Sequence, residues 1–284
     1  MDNKSKAILT ISLCLFVLGI LAIAASGKLG RVRIIACDVG QGDGILIITP
    51  GGRDVVIDGG PGSKIADCLS RYMPFWDRTV EMMVLSHPQQ DHMEGQMAVF
   101  ANYKVEHMVT TGVKNDTELH REWQKALVAE GSKVYKPVAG DSISVDGVNF
   151  EVLWPASVRY NIWEVAPPTD VNESSVILRL SYSGQCAYFT GDIPKEILEM
   201  VADRNCSILK VAHHGSKTGT SPRVLEEIKP AVAIISVGKN NRFGHPHKEV
   251  VDMLEAAHSK ILRNDQLGNV EVDLDSKGKI IYKQ

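Results

Sequence analysis

The chain has 284 residues, 44% of them hydrophobic and 23% charged, with 31 basic and 34 acidic side chains and a net charge of −3. So much apolar content with so little net charge excludes a mostly disordered chain, and 24 glycines with 12 prolines exclude a collagen-like one. The lack of any positive excess argues against a protein that coats duplex nucleic acid.

Lys4 and Lys6 precede an uncharged run over residues 7–26. A helix needs roughly 20 such residues to cross a bilayer. The basic flank on the N-terminal side keeps that end in the cytoplasm and sends the rest outward. Ala22-Ile23-Ala24 offers a small-x-small cleavage site. Residues 1–26 are therefore expected to be an uncleaved membrane anchor or a signal peptide. Residues 27–284 are expected to be exported, on the outer face of the membrane or secreted.

Residues 31–37 and 44–49 read as strands around the turn DVGQGDG, and 54–57 as a third strand ending in Asp58-Gly59-Gly60. Residues 65–72 read as a helix. Residues 80–85 form an apolar strand that runs straight into SHPQQDH. Helices are expected over 94–103 and 117–130, the second with polar residues before it and Gly131 after it. Strands follow near Val134 and over 142–145 and 149–154. Next comes the loop YNIWEVAPP, in which Trp163 packs or lines a groove. Strands over 175–182, 187–190 and 208–212 end at Gly191-Asp192 and at His213-His214. Ser221 and Pro222 start a helix to Ile228. Residues 232–237 form a strand ending in GKNNRFGHPH, and a helix over 248–257 and a closing hairpin complete the chain. Clustered strands with helices between them predict two sheets packed face to face with helices outside, as one unit over 27–284.

Five cysteines make no disulfide framework in this reading. Cys14 lies in the apolar run, and Cys37, Cys68, Cys186 and Cys206 are far apart with no CxxC pair. Cys37 and Cys186 are expected to be small buried hydrophobes in strands.

The chemistry is concentrated in His87-Pro88-Gln89-Gln90-Asp91-His92, on a loop leaving a strand. Imidazole and carboxylate together suit zinc, manganese or iron. Asp192, His213, His214, His245 and His247 follow other strand ends, and adjacent strands deliver their ends to one edge of a sheet.

Seven segments in order carry a resemblance: DVGQGDG at 38–44, VIDGG at 56–60, LSHPQQDHMEG at 85–95, VNESSVIL at 171–178, FTGD at 189–192, KVAHHGS at 210–216 and SVGKNNRFGHPH at 236–247. Over about residues 31–284 the sequence resembles the metallo-β-lactamase superfamily, and within it the hydrolase domain of the ComEC DNA-uptake family. The resemblance implies an α/β (α+β) four-layer αββα sandwich and a metal-dependent hydrolase holding one or two divalent ions, zinc or manganese. One ion would be held by Asp91, His92, Asp192 and His213, the first histidine off its strand. His214 would then support the site or donate a proton, although the two could be exchanged. The other ion would use His87, Gln89 and Asn172 or a nearby serine. Gln89 departs from the usual His or Asp, and a neutral amide is a poor zinc ligand. The expectation is thus an occupied Asp91/His92 site and a weak His87 site, or one suited to a harder ion.

The expected reaction is hydrolysis by hydroxide formed from a water whose pKa the cation lowers to about 7, with Asp91 orienting it or taking its proton. Lys210, Lys217, Lys239, Arg242, Asn241, His245, Ser216 and Thr218 flank the ligand segments. They favour a phosphodiester over an uncharged lactam, with single-stranded DNA a candidate and small-molecule esters another. The alternatives are a carbonyl hydrolase of the same fold (a lactonase or β-lactamase) and a non-catalytic binding module with a decayed site. Asp43 and Asp58 either border the site or serve their turns. Oligomeric state is not readable from the sequence.

Overall fold

The computed structural model describes residues 4–6, 10–16, 30–156, 169–203 and 205–282. The rest of the apolar N-terminal run, and the loop holding Trp163, lie outside the described residues. Among the described residues no helix is long and apolar enough to cross a membrane.

Strands β1 (Arg31–Ala36), β2 (Ile45–Ile48), β3 (Asp54–Ile57), β4 (Thr79–Leu85), β5 (Lys104–Thr110) and β6 (Lys133–Tyr135) follow one another. With β14 (Val270–Asp275) and β15 (Ile280–Tyr282) they form an eight-stranded sheet ordered β15-β14-β1-β2-β3-β4-β5-β6. The second sheet holds β7 (Ser142–Val145), β8 (Val148–Trp154), β9 (Ile177–Tyr182), β10 (Gln185–Phe189), β11 (Ile208–Lys210), β12 (Val232–Ile235) and β13 (Lys260–Arg263). Its order is the simple reverse, β13 through β7. Among the described residues six helices cover the outer faces: α1 (Lys64–Tyr72), α2 (Gln90–Asn102) and α3 (Glu118–Glu130) on the first sheet, α4 (Lys195–Val201), α5 (Pro222–Ile228) and α6 (Lys248–Ala256) on the second. A one-turn helix, α7 (Asn264–Leu267), follows β13.

Side-chain alternation along the strands explains why both faces of each sheet are apolar. Ile34 and Ala36 point inward to meet Phe150, Leu178 and Phe189 of the other sheet. Ile35 points outward, where Leu69, Val99 and Trp123 of the helices bury it. On the far side Leu209 and Ile235 meet Leu198, Leu225 and Leu254. The result is the four-layer αββα sandwich expected from the sequence.

Capping chemistry fixes the helix ends. Thr117 accepts a hydrogen bond from the His120 amide, and Gly131 closes α3 in the left-handed conformation. Ser221 caps α5 by accepting from the Val224 amide. Three expectations change. Helix α2 begins at Gln90 rather than at 94, so Asp91 and His92 lie in its first turn and not on an irregular loop. Strand β5 and helix α4 were not anticipated.

The cysteine expectation is overturned. Cys37 is bonded to Cys68 and Cys186 to Cys206, across 31 and 20 residues. Cys37 leaves the end of β1 and Cys68 faces it from α1, an approach between a strand and its covering helix that spacing alone does not reveal.

Candidate metal centre

The parallel pairs β3-β4 and β10-β11-β12 bring five strand ends to one edge of the sandwich. Asp58 follows β3, Ser86 and His87 follow β4, Asp192 follows β10, His213 and His214 follow β11, and Ser236 follows β12. Helix α2 presses close to the end of β3: a Cβ on Gly95 would lie 2.0 Å from the Gly59 carbonyl oxygen. Only glycine allows that approach. It lets the Gly59 amide donate to the His92 carbonyl at 2.7 Å, which seats His92 beneath the strand ends.

Donor atoms of Asp91, His92, Asp192 and His214 all lie within 4.8 Å of one another. Asp192 Oδ2 is 3.3 Å from both His92 Nε2 and His214 Nε2, and His214 Nε2 is 3.4 Å from Asp91 Oδ2. The opposite ring nitrogens are fixed from behind. His92 Nδ1 is 2.9 Å from Asp58 Oδ2, and Asp58 also accepts from the Ser86 amide and hydroxyl at 2.7 Å each. His214 Nδ1 donates to the Ser236 carbonyl at 2.9 Å and lies 3.3 Å from Asp43 Oδ1. Such outer contacts choose the tautomer and turn both Nε2 atoms toward the centre.

The cluster fits a divalent cation. Nε2 of His87, His92 and His214 and Oδ1 of Asp192 are buried without a hydrogen-bond partner, a costly arrangement unless a ligand engages them. Charge tells the same story. Burial, the largest single effect, would make His92 and His214 easier to deprotonate, but Asp192 together with Asp58 at His92 and with Asp43 at His214 reverses it and raises both imidazoles well above the ordinary range. Asp192 is correspondingly held well below the ordinary carboxylate range by His214 and His92, against the effect of its burial. The pocket is thus built around positive charge, which a cation supplies in place of protons. A second close group joins Asp43 and Asp58 to His92. Asp58 is already engaged by Ser86 and His92, and Asp43 Oδ2 by Lys210, so this group supports the first.

His87 stands beside the cluster, its ring 4.2 Å from that of His92. Burial first, then His92, pushes its pKa down to about 3, so it is a neutral donor. Asn172 Oδ1 is also buried and unpartnered, and Gln89 lies half-buried just before α2. The sequence leaves His213 and His214 exchangeable, and the backbone separates them. Strand β11 stops at Lys210, and His213 and His214 both adopt left-handed backbone angles, with φ of 52° and 56°. That turn sends the second imidazole inward. His213 is left 28% exposed at the rim, its Nε2 3.8 Å from Asp192 Oδ2.

The expected substrate-facing residues divide. Lys210 is buried and ion-paired to Asp43 at 2.5 Å, so it cannot meet a ligand. The Asn241 amide is spent on its own loop, donating to the Gly238 and His245 carbonyls and accepting from the Phe243 and His245 amides. Ser216 Oγ pairs with Thr218 Oγ1 at 3.0 Å. Lys217 is exposed, and the His245 ring lies 5.8 Å from that of His213. The Ser236 carbonyl, which orients His214, had no sequence signal at all.

No protein-family model matches the chain. Among solved structures it superposes on the metallo-β-lactamase fold protein YhfI from Bacillus subtilis with a TM-score of 0.54 and 12% identity, covering 89% of this chain and 100% of that one. It superposes on CmlA, a diiron β-hydroxylase from Streptomyces venezuelae, with a TM-score of 0.56 and 10% identity, over 90% and 54% of the two chains. The fold is the metallo-β-lactamase fold. In sequence this metallo-β-lactamase-fold chain is similar to ComE operon protein 3 of Bacillus subtilis, 29% identical over 264 residues that make up 85% of this chain and 33% of the relative. It is likewise 29% identical to Recombination protein 2 of Haemophilus influenzae, over 85% of this chain and 29% of that protein. The chain spans about a third of the length of these relatives, and the similarity is the one its motifs suggested. Fold and donor set together fit a metal-dependent hydrolase.

Proposed function

We propose that this chain is a metal-dependent phosphodiesterase. The observation that carries the reading is the buried group Asp91, His92, Asp192 and His214, with its inward nitrogens unpartnered. It opens beside a groove lined by Arg242, whose guanidinium has no ion pair among the described residues, and by several amide side chains. Cationic and amide donors suit an anionic ester better than a neutral lactam. The relatives' names, which speak of competence and recombination, accord with nucleic acid as the source of the phosphodiester.

Asp91, His92, Asp192 and His214 would hold the ion. A divalent cation there, zinc or manganese, supplies Lewis acidity and a strong nucleophile at neutral pH. Asp91 is the most open of the four carboxylate and imidazole donors, so it orients the attacking water and accepts its proton. Asp58 and the Ser236 carbonyl lock the two imidazoles. With His214 turned inward, the role of proton donor to the departing oxygen passes to His213 at the rim. The reading predicts one tightly held ion, with His87 beside it as a weaker ligand.

Turnover of bis(p-nitrophenyl) phosphate by the metal-loaded protein tests this, alongside a panel of lactones and lactams. Faster turnover of the panel would favour a carbonyl hydrolase. No turnover of anything, with metal bound, would leave a binding module.

The folded part is proposed to lie outside the cytoplasm. Two disulfides persist best in an oxidising compartment, and the apolar run at 7–26 provides a route out. Phe75 and Trp76, 80% and 73% exposed, precede β4, and neighbouring Pro74 lines a cleft with Arg31, where the described fold begins. Aromatic side chains of this kind favour a membrane–water interface. Protease accessibility in intact cells tests the placement; protection until lysis would contradict it.

A further inference from the structure

The end of the sandwich opposite the metal centre carries a feature that the core does not use. Strands β1 and β3 both pair antiparallel to β2, and β3 pairs parallel to β4, so β1, β3 and β4 run in one direction. Strands β3 and β4 end at the metal centre, at Asp58 and at Ser86-His87. Arg31 at the start of β1 and Thr79 at the start of β4 therefore lie at the other end. The loop between α1 and β4 reaches out from there. The Asp77 amide donates to the Pro74 carbonyl at 2.9 Å, which closes a turn with Phe75 and Trp76 as its two central residues. The two rings meet edge to face, their centroids 4.8 Å apart. Both ends of the turn are tied down: Met73 is buried, and the Asp77 carboxylate accepts from the Thr79 amide at 3.1 Å. Phe75 and Trp76 themselves stay 80% and 73% exposed. Two adjoining aromatic rings held out in water add nothing to the core and mark a place of contact. Exposed Arg71 and Arg78 flank them.

The rest of the chain points to what meets this turn. Residues 7–26 carry no charge. Residues 10–16 of that run are helical, with Ile11, Leu13, Leu15 and Phe16 59–67% exposed, so no core among the described residues covers them. Five residue steps separate residue 26 from Arg31, a reach of at most about 18 Å. Arg31 lines the same cleft as Pro74. With the run in a bilayer, the Phe75–Trp76 turn is drawn to the surface of that bilayer. Its chemistry suits the place. Tryptophan sits well at headgroup level, and arginines meet anionic headgroups while their stems follow the apolar side.

We infer that the Phe75–Trp76 turn is a second membrane contact, set into the headgroup layer of the bilayer that holds the apolar run, so that the metal centre faces away from the lipid. The inference rests on the membrane placement proposed above and adds which face of the fold meets the lipid. The seven residues of β4 separate the two ends, about 23 Å at roughly 3.3 Å per residue. The metal centre thus stands clear of the headgroups and draws its substrate from the water rather than from the lipid.

The test uses the full chain in vesicles of phosphatidylcholine and phosphatidylglycerol. Lipids brominated near the headgroup end of the acyl chain quench a tryptophan that enters this layer. Trp123 and Trp154, buried and half-buried in the fold, supply an unquenched background. The wild type should be quenched. Trp76→Phe, which keeps the turn aromatic, should lose most of that quenching. In the Trp76→Phe background, Gln90→Trp puts a reporter at the metal end and should add no quenching. Equal quenching of wild type and Trp76→Phe, in a chain that floats with the vesicles, would overturn the inference and leave the anchor standing. Quenching of the Gln90→Trp reporter would overturn the orientation. A chain that does not float with the vesicles would sink the anchor, and the contact with it.

Discussion

Lys210 Nζ lies 2.5 Å from Asp43 Oδ2, and each residue is 1% exposed. The second oxygen of Asp43 is 3.3 Å from His214 Nδ1. Burial by itself would raise the Asp43 pKa, but Lys210 and His214 reverse it and hold the carboxyl well below its ordinary value. A lysine that the sequence offers as a phosphate contact is instead the counter-charge for a carboxylate behind a metal ligand.

Removing one partner of a buried pair strands the other charge. Lys210→Met is therefore expected to destabilise the fold by about 3–5 kcal/mol. Urea unfolding checks this. The double variant Lys210→Met with Asp43→Asn should recover part of the loss, because no unpaired charge is left inside.

Asp58 acts on the ion through His92. Asp58→Asn keeps the shape but weakens the grip on His92 Nδ1, and metal affinity should fall about 10–100-fold. A competition titration against a chromophoric chelator measures it. Unaltered affinity would mean that Asp58 serves only its turn.

Asp54, on β3 away from the cluster, is buried with Asp77 and Glu81 nearby. Burial chiefly, then those charges, raises its pKa from 3.8 to about 8. Between those values the folded carboxyl keeps a proton that the unfolded chain has lost. Stability should therefore fall as pH rises from about 4 to about 8, by at most about 1.4 kcal/mol per pH unit from this group. Asp54→Asn should flatten that slope and gain stability above pH 8. Denaturant midpoints at the two ends of the range decide it.

The two disulfides close loops spanning 31 and 20 residues. Removing either by a paired Cys→Ala change should cost about 2–5 kcal/mol, read as a lower unfolding midpoint than that of the oxidised protein. Identical midpoints with and without reductant in the wild type would show the bonds to be absent in solution.

Much of the site was legible because strands announce their own ends. An apolar run followed at once by Gly, Asp or His marks where a backbone leaves a sheet, and Asp58, His87, Asp192 and His214 all lie just past such points. Less could be read where a property belongs to three dimensions. The first turn of α2 is Gln-Asp-His-Met, which reads like a loop, and its helical start depends on packing against Gly59. Strand β5 begins with an exposed, charged half that hides its pattern. Which of His213 and His214 turns inward follows from two left-handed residues, and no residue type there demands them. The cysteine pairs and the burial of Lys210 depend on which strand lies behind which helix.

Metal analysis of the full chain, purified without chelator, bears most directly on the site. The wild type should retain one tightly held divalent ion, while Asp192→Ala and His214→Ala, still folded by circular dichroism, should retain none. A full equivalent in the Asp192→Ala protein, or none in a folded wild type offered zinc and manganese, would contradict the account.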